Sequence, residues 1–195
     1  MTSICLVRHG ETEWNRTGRY QGQMDIPLNE HGLQQAAAVA TAIAGEPSWD
    51  AIVSSPLSRA RKTAEAIAQA IGIDEITLDA DLKERNYGEA EGLTLAERTE
   101  RWTGNEWPGL EPFESLQARG VAALDRVALR FPGQRVLVVC HGGLMNAVLA
   151  HHSAGEHGTG ITVIRNTART HLAHNGSAWT VETVTDASHL DVVAR

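Results

Sequence analysis

Short apolar runs alternate with longer stretches of helical period along this chain, and that alternation admits few architectures. Ile4 to Val7, Ala51 to Val53 and Val136 to Cys140 are each too short for a helix and carry no charged residue, the pattern of strands buried on both faces. Between the first two, Asn29 caps a predicted helix through Leu33, Ala36, Val39, Ala40 and Ile43 that Gly45 stops. A second helix runs from about Ser58 through Ala64, Ile67, Ala68 and Ile71 to Gly72, and a third carries Leu116, Val121, Leu124, Val127 and Ala128 before Pro132-Gly133 turns the chain. Strand and helix in this order predict an α/β fold, a three-layer α/β/α sandwich whose mostly parallel central sheet has helices on both faces. The tail has a different texture. Thr162 to Ile164 and Trp179 to Val184 read as extended segments, separated by a polar stretch to His174 and a tight hairpin turn at Asn175-Gly176.

Open parallel sheets bind ligands beyond the carboxyl ends of their strands, so the residues after each apolar run carry the functional reading. The first run leads into Arg8-His9-Gly10-Glu11-Thr12, the second through Ser54-Ser55-Pro56 to Arg59, and the third into His141-Gly142-Gly143. Two histidines and two arginines are thereby expected in one crevice. Guanidinium offers phosphate a rigid fork of donors and stays charged. Arg59 also falls in the first turn of its helix, where the macrodipole disfavours a cation by about 0.3–1 kcal/mol unless an anion shares the site. Imidazole is nucleophilic and substantially neutral near pH 7, so one histidine can attack phosphorus while the other, protonated beside the phosphate, stabilises the transition state.

Charge and composition narrow the partners. The formal net charge of -7 repels nucleic acid and anionic membrane surfaces, so an anionic substrate must meet a local positive pocket. With 195 residues, 42% of them hydrophobic, the chain suits one domain spanning residues 1–195. Cys5 and Cys140 lie inside apolar runs and read as free buried thiols. The amino terminus lacks a basic stretch followed by a long apolar core, and no run approaches the ~20 residues of a membrane helix, so a cytoplasmic protein is expected.

Leu6-Val7-Arg8-His9-Gly10-Glu11-Thr12-Glu13-Trp14-Asn15 resembles the signature of the histidine phosphatase superfamily, also called the phosphoglycerate mutase-like family. The resemblance continues through Gln21-Gly22, Asp25-Ile26-Pro27-Leu28, Gly32-Leu33-Gln34-Gln35-Ala36, Ser54-Ser55-Pro56-Leu57-Ser58-Arg59-Ala60, Glu84-Arg85-Asn86-Tyr87-Gly88, Glu91-Gly92-Leu93 and His141-Gly142. It implies that His9 becomes phosphohistidine, that Arg8, Asn15, Arg59 and His141 line the phosphate pocket, and that Glu84 is the general acid. Gln21, Gly22, Tyr87 and Gly142, within the same motifs, join the substrate-binding set. A carboxyl beside the phosphate can protonate a leaving alkoxide and then take a proton from the attacking water. Read without the resemblance, Glu84 sits in a charged stretch with Lys83, Arg85, Glu89 and Glu91, and Glu89, Glu91 and Glu11 remain alternative acids.

The implied activity is metal-independent hydrolysis of small phosphate monoesters with no cofactor. The rival within the family is a cofactor-dependent phosphoglycerate mutase, whose cover over the site should be rich in cations. Here the expected lid insertion, about residues 85–114, is acidic: Leu93 to Glu114 carries Arg98 and Arg101 against Glu97, Glu100, Glu106, Glu111 and Glu114, a net charge of -3. The same segment supplies Trp102, Trp107 and Phe113, with Tyr87 upstream, so Trp102 and Trp107 are expected to contact substrate and to favour bulky or apolar leaving groups. This lid and the Ile4-Cys5-Leu6-Val7 opening look most like the broad-specificity bacterial phosphatases of the superfamily. Where relatives often carry Gly-Glu-Ser before the helix expected near Ser115, this chain has Phe113-Glu114-Ser115.

Other classes lack their motifs. Neither cysteine has an arginine six positions on, and there is no Gly-x-Ser-x-Gly elbow, no Gly-Lys-Ser/Thr phosphate loop and no His-Glu-x-x-His. His151, His152 and His157 have only Glu156 nearby as a carboxylate and are not read as a metal site. A noncatalytic phospho-ligand-binding module would be expected to have lost the nucleophile, a clamp or the acid, and all are present. No feature of the residues decides the oligomeric state.

Overall fold

The computed structural model describes residues 1–192. Strands β1 (Thr2–Arg8), β2 (Ala51–Ser54), β3 (Ile76–Leu78), β4 (Arg135–Cys140), β5 (Arg169–His174) and β6 (Trp179–Asp186) form one sheet in the order β3-β2-β4-β1-β5-β6. Strands β1 to β4 are parallel, β5 runs antiparallel to β1, and β6 antiparallel to β5. The alternation of side chains along β1 and β4 divides the core in two. Ile4, Leu6, Val136 and Val138 face one layer, built from helices α5 (Phe113–Arg130) and α6 (Gly142–His152). Cys5, Val7, Leu137 and Val139 face the other, built from α2 (Glu30–Ala44) and α3 (Ser58–Ile71). This is the expected α/β/α sandwich. Each fully buried aliphatic side chain contributes about 1.5–3 kcal/mol of apolar burial, and both cysteines are free and buried in these layers.

Local chemistry sets the helix ends. Asn29 caps α2 by accepting from Gly32 N at 2.7 Å, and α3 ends at Gly72 in the left-handed region, φ 73°. Helix α5 begins at Phe113 behind Pro112, two residues earlier than expected. Two expectations for the tail change. Thr162 to Ile164 forms no strand; Ile164 instead turns its carbonyl to Arg8. The polar stretch before His174 is itself β5, its Arg169 paired with Glu46 and Asp186. The hairpin after it spans four residues, with Asn175 Oδ1 accepting from Ser177 N and Ala178 N at 3.0 and 2.9 Å.

Between β3 and α5 the chain makes an excursion containing α4 (Leu95–Arg101), capped by Thr94 and Glu97. Its two ends are clasped: Tyr87 bridges Leu110 in antiparallel fashion, and Glu111 N donates to Asn86 O at 2.8 Å. Among the described residues no helix is long and apolar enough to cross a membrane.

Candidate active site

Because β1 and β4 are hydrogen-bonded neighbours in register, with Arg8 opposite Cys140, the residues after them meet. His9 N donates to Cys140 O at 3.0 Å, and the His9 and His141 rings lie 5.1 Å apart, tilted by 56°. His9 lines a cleft of about 310 Å³ together with Arg8, Asn15, Gln21, Gly22, Arg59, Glu84, Tyr87 and Gly142. His141 lies just behind this lining, in contact with His9.

His9 is buried, and its Nδ1 is 2.7 Å from Gly10 O. A carbonyl only accepts, so Nδ1 carries the proton and Nε2 keeps the lone pair of the neutral ring. Burial, then Arg59 and Arg8, hold its pKa well below the ordinary histidine range. The loop that presents it is braced: Gly10 N donates to Thr63 Oγ1 at 3.1 Å and Glu11 N to Gln35 Oε1 at 2.8 Å. A side chain at Gly10 would meet Gly32 O at 2.5 Å, which accounts for glycine after the histidine.

The clamps are held by backbone carbonyls. Arg59 donates to Met24 O at 2.8 Å and Gly22 O at 2.7 Å, and Arg8 to Ile164 O at 2.6 Å. Burial pulls both guanidinium pKa values down, opposed by Glu84, yet guanidinium remains charged at any working pH. Arg8 Nε, Arg59 Nε and His141 Nδ1 are buried with no protein partner. Buried polar atoms without partners are costly, and the two arginine Nε–H groups, on side chains that line the cleft, are free to donate to an anion. His141 Nε2 is 2.8 Å from Ser55 Oγ, and burial followed by Arg59 pushes the His141 pKa far down.

Glu84 reaches the cleft from the far side. Its carboxylate accepts from Gly143 N and Leu144 N in the first turn of α6 at 2.9 and 3.0 Å, and from Arg85 N at 2.8 Å. The alternative acids are engaged elsewhere. Glu11 accepts from Asn29, Glu91 holds Gln23 N and Tyr87 N, and exposed Glu89 pairs with Arg101. Thr12 caps the short α1 (Glu13–Arg16) in a box with Asn15, whose Oδ1 also meets Asn166. Gln21 Oε1 accepts from Thr12 Oγ1 at 2.8 Å.

Trp102 and Trp107 do not line the cleft. Trp107 donates to Tyr87 O at 2.6 Å and lies 6.1 Å from the Tyr20 ring, with Trp102 stacked behind it at 6.3 Å. Trp107 braces the Tyr20–Tyr87 pair, whose rings are 5.0 Å apart, with Trp102 behind it. Arg19, Tyr20, Asn146, Thr159 and Ile164 supply lining that the sequence reading did not assign. Thr159 and Ile164 come from an irregular loop with no motif, but Arg19 and Tyr20 stood beside Gln21-Gly22 and Asn146 one turn beyond Gly142, so helical spacing could have found the last.

The family model for the histidine phosphatase superfamily (branch 1) matches residues 4–187. The chain belongs to the histidine phosphatase superfamily. An uncharacterized phosphatase, PhoE, of Bacillus subtilis (strain 168) is 40% identical over 190 residues, 97% of each chain. The probable phosphoglycerate mutase GpmB of Escherichia coli O1:K1 / APEC is 38% identical over 214 residues, covering 100% of this chain and 97% of its own. The solved mycobacterial glucosyl-3-phosphoglycerate phosphatase, in complex with VO3, matches with a TM-score of 0.84 at 26% identity, covering 95% of this chain and 99% of that one. In this histidine phosphatase the superfamily motifs at the ends of β1, β2 and β4 are the residues that meet in the cleft.

Proposed function

We propose that this histidine phosphatase hydrolyses phosphate monoesters in two displacements at His9. The observation that carries this reading is a buried, neutral His9 with its Nε2 lone pair available, flanked by Arg8 and Arg59 whose Nε atoms lack protein partners. His9 Nε2 attacks phosphorus as the bond to the ester oxygen breaks, and that oxygen leaves with a proton from Glu84. Arg8, Arg59 and the Nδ1–H of a neutral His141, its Nε2 accepting from Ser55, hold the three spectator oxygens while their charge grows. Water then attacks the phosphohistidine, giving a proton to the Glu84 carboxylate, and the P–N bond breaks to release phosphate and restore His9. A positioned acid of this kind contributes roughly 10² to 10⁴ in rate.

Arg8 and Arg59 beside His9 supply the positive charge that stabilises the transferring phosphoryl group, so the proposed steps use side chains alone. The lid cations are committed: Arg98 donates to Gly104 O and lies 4.9 Å over Trp107, and Arg101 lies 4.7 Å over Trp102. Neither lines the cleft, which favours hydrolysis over a mutase that must retain a second anionic product. Residues 1–195 form one domain in this reading, with the 85–114 excursion as its lid. With Trp102 and Trp107 outside it, the leaving-group end is mixed, Tyr20, Tyr87 and Ile164 alongside Arg19, Asn146 and Thr159. The proposed substrates therefore extend from apolar to polar organic esters.

Product analysis tests the proposal. Phosphate release from 4-nitrophenyl phosphate and several metabolite esters, unchanged by EDTA and without rapid interconversion of 3- and 2-phosphoglycerate in the presence of 2,3-bisphosphoglycerate, is expected. Rapid interconversion would make the chain a mutase, and phosphate-ester binding without turnover would make it a binding module.

A further inference from the structure

Arg119, in the middle of α5, has every guanidinium nitrogen engaged. Nε donates to Glu111 Oε1 at 2.7 Å, and Nη2 donates to Glu111 Oε2 and Glu84 O, both at 2.9 Å. Nη1 donates to Asp81 O at 2.7 Å and Lys83 O at 2.6 Å. Glu111 in turn accepts from Asn86 N at 3.0 Å, and its own carbonyl accepts from Arg85 Nε at 2.8 Å. The two side chains are only 17% and 14% exposed, so they form a largely desolvated, bidentate pair, the geometry in which guanidinium is most restrictive.

This bracket grips the backbone on both sides of Glu84, from Asp81 to Asn86, and ties it to the far end of the lid at Glu111. Glu84 is presented by an irregular loop. Its carboxylate rests on the N-terminal turn of α6, while its own carbonyl and those of Asp81 and Lys83 rest on Arg119. We infer that Arg119 and Glu111 are positioning residues for the proton-transfer step: they fix the Glu84 backbone and couple its placement to the lid stem, without touching substrate. The inference rests on Glu84 as the acid of the proposed mechanism.

A positioning role has a signature that general support of the fold lacks. If the bracket acts through Glu84, its loss falls on substrates whose leaving groups need a proton and spares those that do not. Displacing a catalytic group by about 1 Å can cost roughly 10²-fold. Glu111→Gln keeps the shape and one acceptor, and Arg119→Lys keeps a charge but loses the fork. Steady-state kinetics would be measured on an alkyl phosphate and on 4-nitrophenyl phosphate for both variants, for Glu84→Gln, and for the Glu84→Gln/Glu111→Gln double variant.

Expected is a fall in kcat/KM, which reports transfer to His9 alone, of about 10- to 100-fold on the alkyl ester, several-fold at most on the aryl ester, and little further loss on adding Glu111→Gln to Glu84→Gln, because residues acting as a unit are non-additive. Uniform losses on both esters in both variants, or additive losses in the double variant, would overturn the positioning role while leaving the mechanism in place. A Glu84→Gln enzyme with no leaving-group dependence would overturn the acid assignment, and the inference with it.

Discussion

Gly143→Ala puts one methyl group between Glu84 and its seat. The added Cβ would lie 2.5 Å from Glu84 Oε1, 3.1 Å from its Cδ and 3.2 Å from Tyr87 OH. Ordinary contact begins near 3.4 Å, so the carboxylate must retreat by about 0.9 Å, stretching bonds to Gly143 N and Leu144 N that now measure 2.9 and 3.0 Å. Misplacement on that scale lowers the rate by up to ~10²-fold, or about 2.7 kcal/mol of barrier. Gly143 lies in the first turn of α6 with no positive φ, so alanine meets no backbone strain there. Activity and stability should therefore separate. In kcat/KM on an alkyl and an aryl phosphate, with a thermal melt of each variant, the expected outcome is a large loss on the alkyl ester, a small loss on the aryl ester and a Tm close to the parent. An unchanged alkyl rate would show that Glu84 need not sit on the α6 turn; equal losses on both esters would remove it from the proton-transfer step.

Two further outcomes concern stability. Burial, chiefly, depresses the pKa values of His9 and His141 far below the ordinary value of 6.5 and that of His152 to about 4. Below pH 6.5 the unfolded chain binds protons there that the folded chain refuses, so stability should fall as pH drops from 6.5, whereas Asp186, held at about 2 against an ordinary 3.8, contributes to acid loss only below about pH 4. Urea midpoints at pH 7.5 and 5.5 should decrease in that order, with a smaller decrease for His152→Gln; an equal or higher midpoint at pH 5.5 would refute the buried neutral histidines. Gly22→Ala should cost at least about 1–3 kcal/mol of stability, because φ is +54° and the new Cβ would sit 1.8 Å from Glu91 Oε1; a variant as stable as the parent in denaturant titration would contradict the tight seat of that loop against Glu91.

The sandwich and the phosphate end of the site were legible because both depend on short-range patterns. Apolar alternation along β1 and β4 assigns each side chain to a helix layer, and the sheet then gathers the residues just beyond each strand without any loop needing to be predicted. Strand β3 escaped because it has three residues with Leu78 exposed, and β5 because Arg169, Thr170 and His171 look like a polar loop until Glu46 and Asp186 neutralise the arginine. The charge of the lid is less legible for a related reason. Glu111 counts as a lid charge in the sequence, yet Arg119, eight residues on, pairs with it in a largely buried contact. Trp102 and Trp107 offer aromatic area without direction in the sequence; in the structure Trp107 packs against Tyr20 and Trp102 against Trp107, outside the lining of the cleft.

The most direct test of the central claim is to trap the phosphorylated enzyme. Glu84→Gln mixed with labelled 4-nitrophenyl phosphate should accumulate intermediate, because an aryl leaving group departs with little proton assistance while attack of water still needs the lost base. After an alkaline quench, peptide mass spectrometry should find one alkali-stable, acid-labile phosphoryl group on His9 and none in the His9→Ala variant, which should also be inactive. Phosphoryl on any other residue, or hydrolysis persisting in His9→Ala, would contradict covalent catalysis at His9.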